Sequence, residues 1–91
     1  MVRKRDRLEV IHDILRTIKD KNNSIKPTPL LRYSNLSSQS FNEYYKDVLE
    51  KGFVKEIKDK KDKKIITLTD KGFKFIEKYQ AILMFIDEFE L

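Results

Sequence analysis

Residues 35–52, NLSSQSFNEYYKDVLEKG, constrain this chain more than any other stretch, because both ends of a helix are written into them. Ser37 or Ser38 can cap the N-terminus by accepting a backbone N–H, and Gly52 stands where a left-handed residue closes a helix. Between them Phe41, Tyr44, Tyr45, Val48 and Leu49 recur at helical spacing and make one side apolar. The other side carries Gln39, Asn42, Glu43, Lys46 and Glu50, and its first half is uncharged or basic apart from Glu43. Short polar and amide side chains at the start of a helix suit the base edges of a DNA major groove. The same pattern also describes a core helix with a solvated outer face.

What surrounds this helix favours the first reading. After Gly52 the period changes: residues 53–58 and 64–69 are β-prone and are joined by Asp59, Lys60, Lys61, Asp62 and Lys63. This predicts an antiparallel hairpin. Its tip has neither Gly nor Asn, so a loop longer than a two-residue turn is expected. Lys58, Lys60, Lys61, Lys63 and Lys64 make the tip basic enough for phosphate contact, although charges there also blunt a strand edge. Upstream, Thr28 can cap and Pro29 can open a short helix over residues 29–33, and residues 34–37 turn tightly into the longer one. Short helix, turn and capped helix outline a helix-turn-helix.

The ends of the chain supply two more helices. Leu8, Ile11, Leu15 and Ile18 form a stripe over residues 6–19, flanked by Val10 and Ile14, and residues 20–24 have turn composition. The basic cluster of Arg3, Lys4, Arg5 and Arg7 ahead of it can touch phosphate or simply remain solvated. A last helix starts near Thr69 or Asp70, where a cap and a favourable charge coincide. Gly72 in its first turn costs about 1 kcal/mol against Ala, which implies close backbone packing against the hairpin or the preceding helix. From Ala81 onward the sequence AILMFIDEFEL is apolar almost all round. One small domain buries a stripe such as Phe73, Ile76 and Tyr79; the remaining Ile82, Leu83, Phe85, Ile86 and Phe89 need another surface, most simply a second copy of the chain.

Composition narrows the class further. The chain has 91 residues, enough for one domain, and 38% charged against 40% hydrophobic residues, which is globular rather than disordered. Its formal charge of +5 favours a polyanionic partner. All 20 Lys and Arg lie within residues 1–78, whereas residues 79–91 carry Asp87, Glu88 and Glu90 and no base. Without cysteine there is neither a disulfide nor a thiolate metal site. MVRKRDR resembles the start of a secretory signal, but Glu9, His12 and Asp13 break the run after it, and a cytoplasmic protein is the expectation. His12, the one histidine, lies beside the first apolar stripe and reads as a boundary residue. No His pair, glycine-rich phosphate loop or nucleophile elbow occurs, so an enzyme is not expected.

Three segments, NLS at 35–37, LEKGFV at 49–54 and LTDKGFKFIEKY at 68–79, resemble the archaeal ten-kilodalton winged-helix DNA-binding proteins. These are basic single-domain chains that dimerise through C-terminal helices packed as an antiparallel coiled coil, with relatives in archaeal viruses and plasmids. The resemblance covers nearly the whole chain. It implies a recognition segment over residues 38–46, a wing tip over 59–63 and a dimer helix over 69–91. Two departures stand out: a final helix of about 20 residues, or ~30 Å, excludes a long coiled coil, and Glu43 occupies a position often basic in the family.

The resulting expectation is an α+β, mainly helical fold: a winged helix-turn-helix with a two-stranded wing over residues 1–69, and a dimerisation helix over 70–91 packed on the same domain. The expected function is that of a homodimeric transcription regulator on double-stranded DNA. A sequence-tolerant architectural (chromatin-like) protein, or a winged helix used for protein contacts, are the alternatives. Candidate DNA contacts are Ser37, Ser38, Gln39, Asn42, Glu43 and Lys46 on the helix, and Lys58, Lys60, Lys61, Lys63 and Lys64 on the wing. Arg32, Arg3, Lys4 and Arg5 complete that surface, and Tyr79, Ile82, Leu83, Phe85, Ile86 and Phe89 form the expected dimer face. No cofactor, metal, small-molecule ligand or membrane is expected, and the place of action is the nucleoid or an infected host cell.

Overall fold

The structure, a computed structural model, describes residues 6–91. Its elements are α1 (Arg7–Asp20), α2 (Pro27–Ser34), α3 (Ser38–Glu50), β1 (Val54–Lys58), β2 (Lys64–Leu68) and α4 (Asp70–Glu88). Asp6 caps α1 by accepting the Glu9 N–H at 2.8 Å. Past α1, Asn22 and Asn23 both adopt positive φ, a conformation asparagine tolerates better than most residues. The Asn23 side-chain oxygen accepts the Leu68 N–H at 2.6 Å and so ties this turn to the end of β2. The second helix starts at Pro27 behind Lys26, not at Pro29 behind Thr28. Both prolines fit its first turn, where backbone N–H groups have no partner within the helix.

β1 and β2 form an antiparallel pair with Val54 opposite Leu68 and Glu56 opposite Ile66. Ile25 adds a single bridge to the far edge of β2, exchanging both backbone bonds with Ile66 at 3.2 and 2.8 Å. This rudimentary third strand has no sequence signal, because one residue cannot show a period. The core lies between α1 and the hairpin. Ile14, Leu15 and Ile18 of α1, Leu30 of α2, Phe41 and Val48 of α3, and Ile66 of β2 are all essentially buried.

Two apolar stripes sit differently from their sequence reading. On α1 the buried line is Val10, Ile11, Ile14, Leu15 and Ile18; Leu8 is 53% exposed because it projects from the first turn towards Ile82 of α4. On α4, Phe73 is 38% exposed and Phe75 packs on the core instead. The cause is Gly72. A Cβ there would stand 2.2 Å from the Phe53 carbonyl oxygen, which also accepts the Thr69 N–H at 3.1 Å. This close approach turns the line of Gly72, Ile76 and Tyr79 inward, and at ~100° per residue Phe73 is carried to the flank. It also satisfies the expectation that Gly72 marks backbone packing beside the hairpin.

The second half of α4 leaves the body of the domain. From Ile82 to Leu91 every residue is exposed, Ile82 at 54%, Phe85 at 55% and Met84 at 71%. The radius of gyration is 14.0 Å, against about 12 Å for a compact chain of this length. His12, expected at a boundary, is 7% exposed, because the Tyr79 ring of α4 stacks on it with centroids 4.4 Å apart.

Candidate nucleic-acid interface

The exposed face of α3 follows from how its two ends are closed. Ser37 is the N-cap, its hydroxyl accepting the Ser40 N–H at 3.1 Å. Asn35, at φ 61°, turns the chain sharply out of α2. At the other end Phe53 N–H donates to the Val48 carbonyl at 2.9 Å and Gly52 N–H to that of Leu49 at 3.1 Å, with Gly52 at φ 77°. This paired closure fixes where the helix stops and the hairpin starts. Phe41 and Val48 point inward, and Tyr45 stacks on Phe41 with centroids 5.8 Å apart. Leu49, counted with the apolar side in the sequence, is at the margin with 36% exposed.

That rotation leaves Ser37, Ser38, Gln39, Asn42, Glu43 and Lys46 exposed together on the outer side of α3. The first turn contains no carboxylate, so its free N–H groups and partial positive charge face outward unopposed. Glu43 lies further along and shares a shallow pocket with Arg7, Tyr44 and Asp47. The Arg7 guanidinium is engaged by Asp47, which also pairs with Lys51. The Lys51 hydrogen bond, followed by the charge of Arg7, holds the Asp47 carboxyl below its usual range. These contacts pin the start of α1 to the middle of α3 across 40 residues of sequence.

The hairpin is joined to α3 by a polar chain. Tyr45 Oη donates to Glu56 of β1, and Lys64 of β2 reaches the same carboxylate at 3.5 Å. Burial, reinforced by Glu56, pushes the Tyr45 hydroxyl well above its ordinary value, so it stays protonated and keeps donating. At the tip the loop residues are Lys60, Lys61 and Asp62, closed by the Asp59 N–H bonding the Lys63 carbonyl at 2.9 Å. This is a three-residue hairpin loop with its last residue at positive φ, Asp62 at 62°.

The five wing lysines therefore differ in their surroundings. All are exposed, but Lys58 reaches Asp62 at 3.4 Å and Lys64 reaches Glu56. Lys60, Lys61 and Lys63 have no ion pair among the described residues. Lys26, just before α2, stands near enough to Asp59 to help lower its carboxyl, so it joins the wing cations. Sequence reading missed it because 33 positions of chain separate it from Asp59. Arg32 is exposed in the last turn of α2. Arg3, Lys4 and Arg5 lie outside the described residues.

A family model described as winged helix-turn-helix matches residues 4–86. This chain belongs to the winged helix-turn-helix family. In its terms α2 and α3 are the helix-turn-helix and the β1–β2 hairpin is the wing, an α+β, mainly helical arrangement completed by the C-terminal α4. Among solved structures the chain is similar to Sso10a-2, a DNA-binding protein from Sulfolobus solfataricus, with a TM-score of 0.76 at 17% identity over 94% of this chain and 86% of that one. It is also similar to F93 from STIV, a winged-helix DNA-binding protein, with a TM-score of 0.71 at 17% identity over 88% of this chain and 91% of that one. At such identity the likeness is one of fold. No curated protein matches the sequence.

The expected dimer residues of this winged helix lie along one side of the α1–α4 groove and beyond it. Tyr79 is half-buried against His12 and Phe75, whose ring stacks on it with centroids 6.1 Å apart. Ile82, Leu83 and Ile86 line a groove of about 540 Å³ together with Leu8 and His12. Phe85 and Phe89 pair with each other on the exposed end, centroids 4.8 Å apart. Among the described residues no group of three His, Asp or Glu stands close enough to hold a metal ion, and no helix is long and apolar enough to cross a membrane.

Proposed function

We propose that this winged helix is a homodimeric, sequence-reading DNA-binding protein that acts as a transcription regulator. The observation that carries the reading is the outer face of α3: Ser38, Gln39, Asn42 and Glu43 are exposed together, beside a first turn that holds no acid. Gln and Asn bond adenine in bidentate fashion, and Glu accepts from the cytosine amino group. A surface that binds by charge alone gains more from lysine at those positions. The wing adds phosphate contacts through Lys60, Lys61 and Lys63, which position the protein without reading sequence. Sso10a-2 and F93, which share the fold, are both described as DNA-binding. The exposed apolar end of α4 supports pairing of two chains, and a two-fold dimer reads two half-sites in inverse orientation.

Selection of bound duplexes from a random pool by the purified full chain tests this. The expected outcome is an enriched, inverted-repeat site that competes against scrambled duplex by at least about a thousandfold in affinity. Retention of duplexes without an enriched motif would favour a sequence-tolerant architectural role. Loss of all binding at low salt would leave a winged helix that serves protein contacts.

A further inference from the structure

The tip of the wing is built on one carboxylate. Asp59 Oδ1 accepts the backbone N–H groups of Lys61 and Lys63, each at 2.8 Å, and the Asp59 carbonyl accepts that of Asp62 at 3.0 Å. The loop needs such a fixture for two reasons. It contains no glycine, yet Asp62 is held at a positive φ that L-residues adopt at a cost. It also carries Lys60, Lys61 and Lys63 close together, and their mutual repulsion favours an open, fluctuating tip. The same backbone N–H bonds, that of Lys63 foremost, hold the Asp59 carboxyl below its usual range, so it is ionised at neutral pH.

For a phosphate-binding surface this residue has the wrong sign. A carboxylate among the lysines lowers the local positive potential and repels phosphate. Its presence is accounted for by geometry. We propose that Asp59 is a positioning residue of the wing: by clamping the loop amides it presents Lys60, Lys61 and Lys63 to the phosphate backbone in one fixed arrangement. The loop is then ordered on folding, and the entropy of ordering it is not charged against binding. This inference rests on the wing contacts of the proposed function, and charge and geometry make opposite predictions for it.

The test is a set of fluorescence-anisotropy titrations on one duplex over a salt series, using the full chain. The variants are Asp59→Ala, Asp59→Asn and the double variant Lys60→Ala/Lys61→Ala, each checked by thermal melting. Asp59→Ala is expected to weaken binding by about fivefold, equivalent to ordering one backbone residue on association, although it removes a negative charge. Asp59→Asn, whose amide oxygen accepts the same two N–H groups, is expected to bind at least as tightly as wild type. Equal or tighter binding by Asp59→Ala would overturn the proposal, since Asp59 would then act as a charge alone. An Asn variant as weak as the Ala variant would overturn it too, because acceptor geometry would not be what matters. The lysine variant separates this from the parent reading: an unchanged affinity and salt slope there takes the wing off the DNA, and the role of Asp59 falls with it.

Discussion

His12 puts an ionisable ring where burial and charge disagree. Its Nε2 is buried without a hydrogen-bond partner among the described residues, and its ring lies against Tyr79. Burial lowers its pKa below the ordinary 6.5, against the opposing pull of the Asp13 carboxylate 3.8 Å from Nδ1. The unfolded chain therefore binds more protons at mildly acidic pH. The stability that follows is complete above about pH 6.5 and is lost as the pH falls from there through the folded-state pKa. Thermal melts of wild type and His12→Phe at about pH 7.5 and about pH 5.5 check this, with wild type losing more stability than the variant on acidification. A difference between the two that is independent of pH would show that the ring titrates alike in both states. The sequence placed His12 beside a stripe but could not say what covers it, because that is decided by Tyr79, 67 positions away.

At the scale of elements, α3 and the wing are tied to each other at both the Gly52 closure and the Tyr45–Glu56 contact. The closure at Gly52 sets the chain path between them, and the Tyr45–Glu56–Lys64 chain fixes their angle. The capping residues were legible because capping is local chemistry. The polar chain was not, since Tyr45 reads as one more apolar residue of the helix. Glu43 is the informative side chain on α3. It is exposed, the nearby Arg7 is engaged by Asp47, and among the described residues no ion pair holds it. Glu43→Gln is expected to relax preference at one base pair per half-site by roughly 1–3 kcal/mol while raising affinity for unrelated duplex. Competition titrations against a selected and a scrambled duplex measure both. Equal tightening on both would show that Glu43 reads no base.

For the molecule as a whole, the decisive feature is that α4 outgrows the domain it packs on. Its first half is anchored by Gly72 and Ile76, while Ile82, Leu83, Phe85, Ile86 and Phe89 are exposed along the second. The charges differ along it as well: Lys71, Lys74 and Lys78 share the first half with Asp70 and Glu77, whereas Asp87, Glu88 and Glu90 at the end have no base among them. Two such helices set side by side would cover both apolar ends. Leu83→Glu combined with Ile86→Glu is therefore expected to yield monomers by light scattering. Circular dichroism should still show the folded domain, because neither residue belongs to the core. A wild-type chain that is monomeric at high micromolar concentration would remove the dimer from the proposed function.

The sequence by itself determined the order and kind of the elements, because periodicity, caps and the change of period after Gly52 are properties of neighbours along the chain. It also determined that the final helix has more apolar surface than one small domain covers, since that is a matter of counting. The tertiary structure decided which side of each helix faces in. The approach of Gly72 to the Phe53 carbonyl turned α4 so that Phe75 packs and Phe73 does not, and the same fold left Leu8 outside the core to line the groove on α4. It also decided which wing lysines are held by carboxylates, through Glu56 and Asp62. The physical reason is the same each time: a propensity acts over a few bonds, whereas burial and charge pairing act between atoms that the chain brings together only once it has folded.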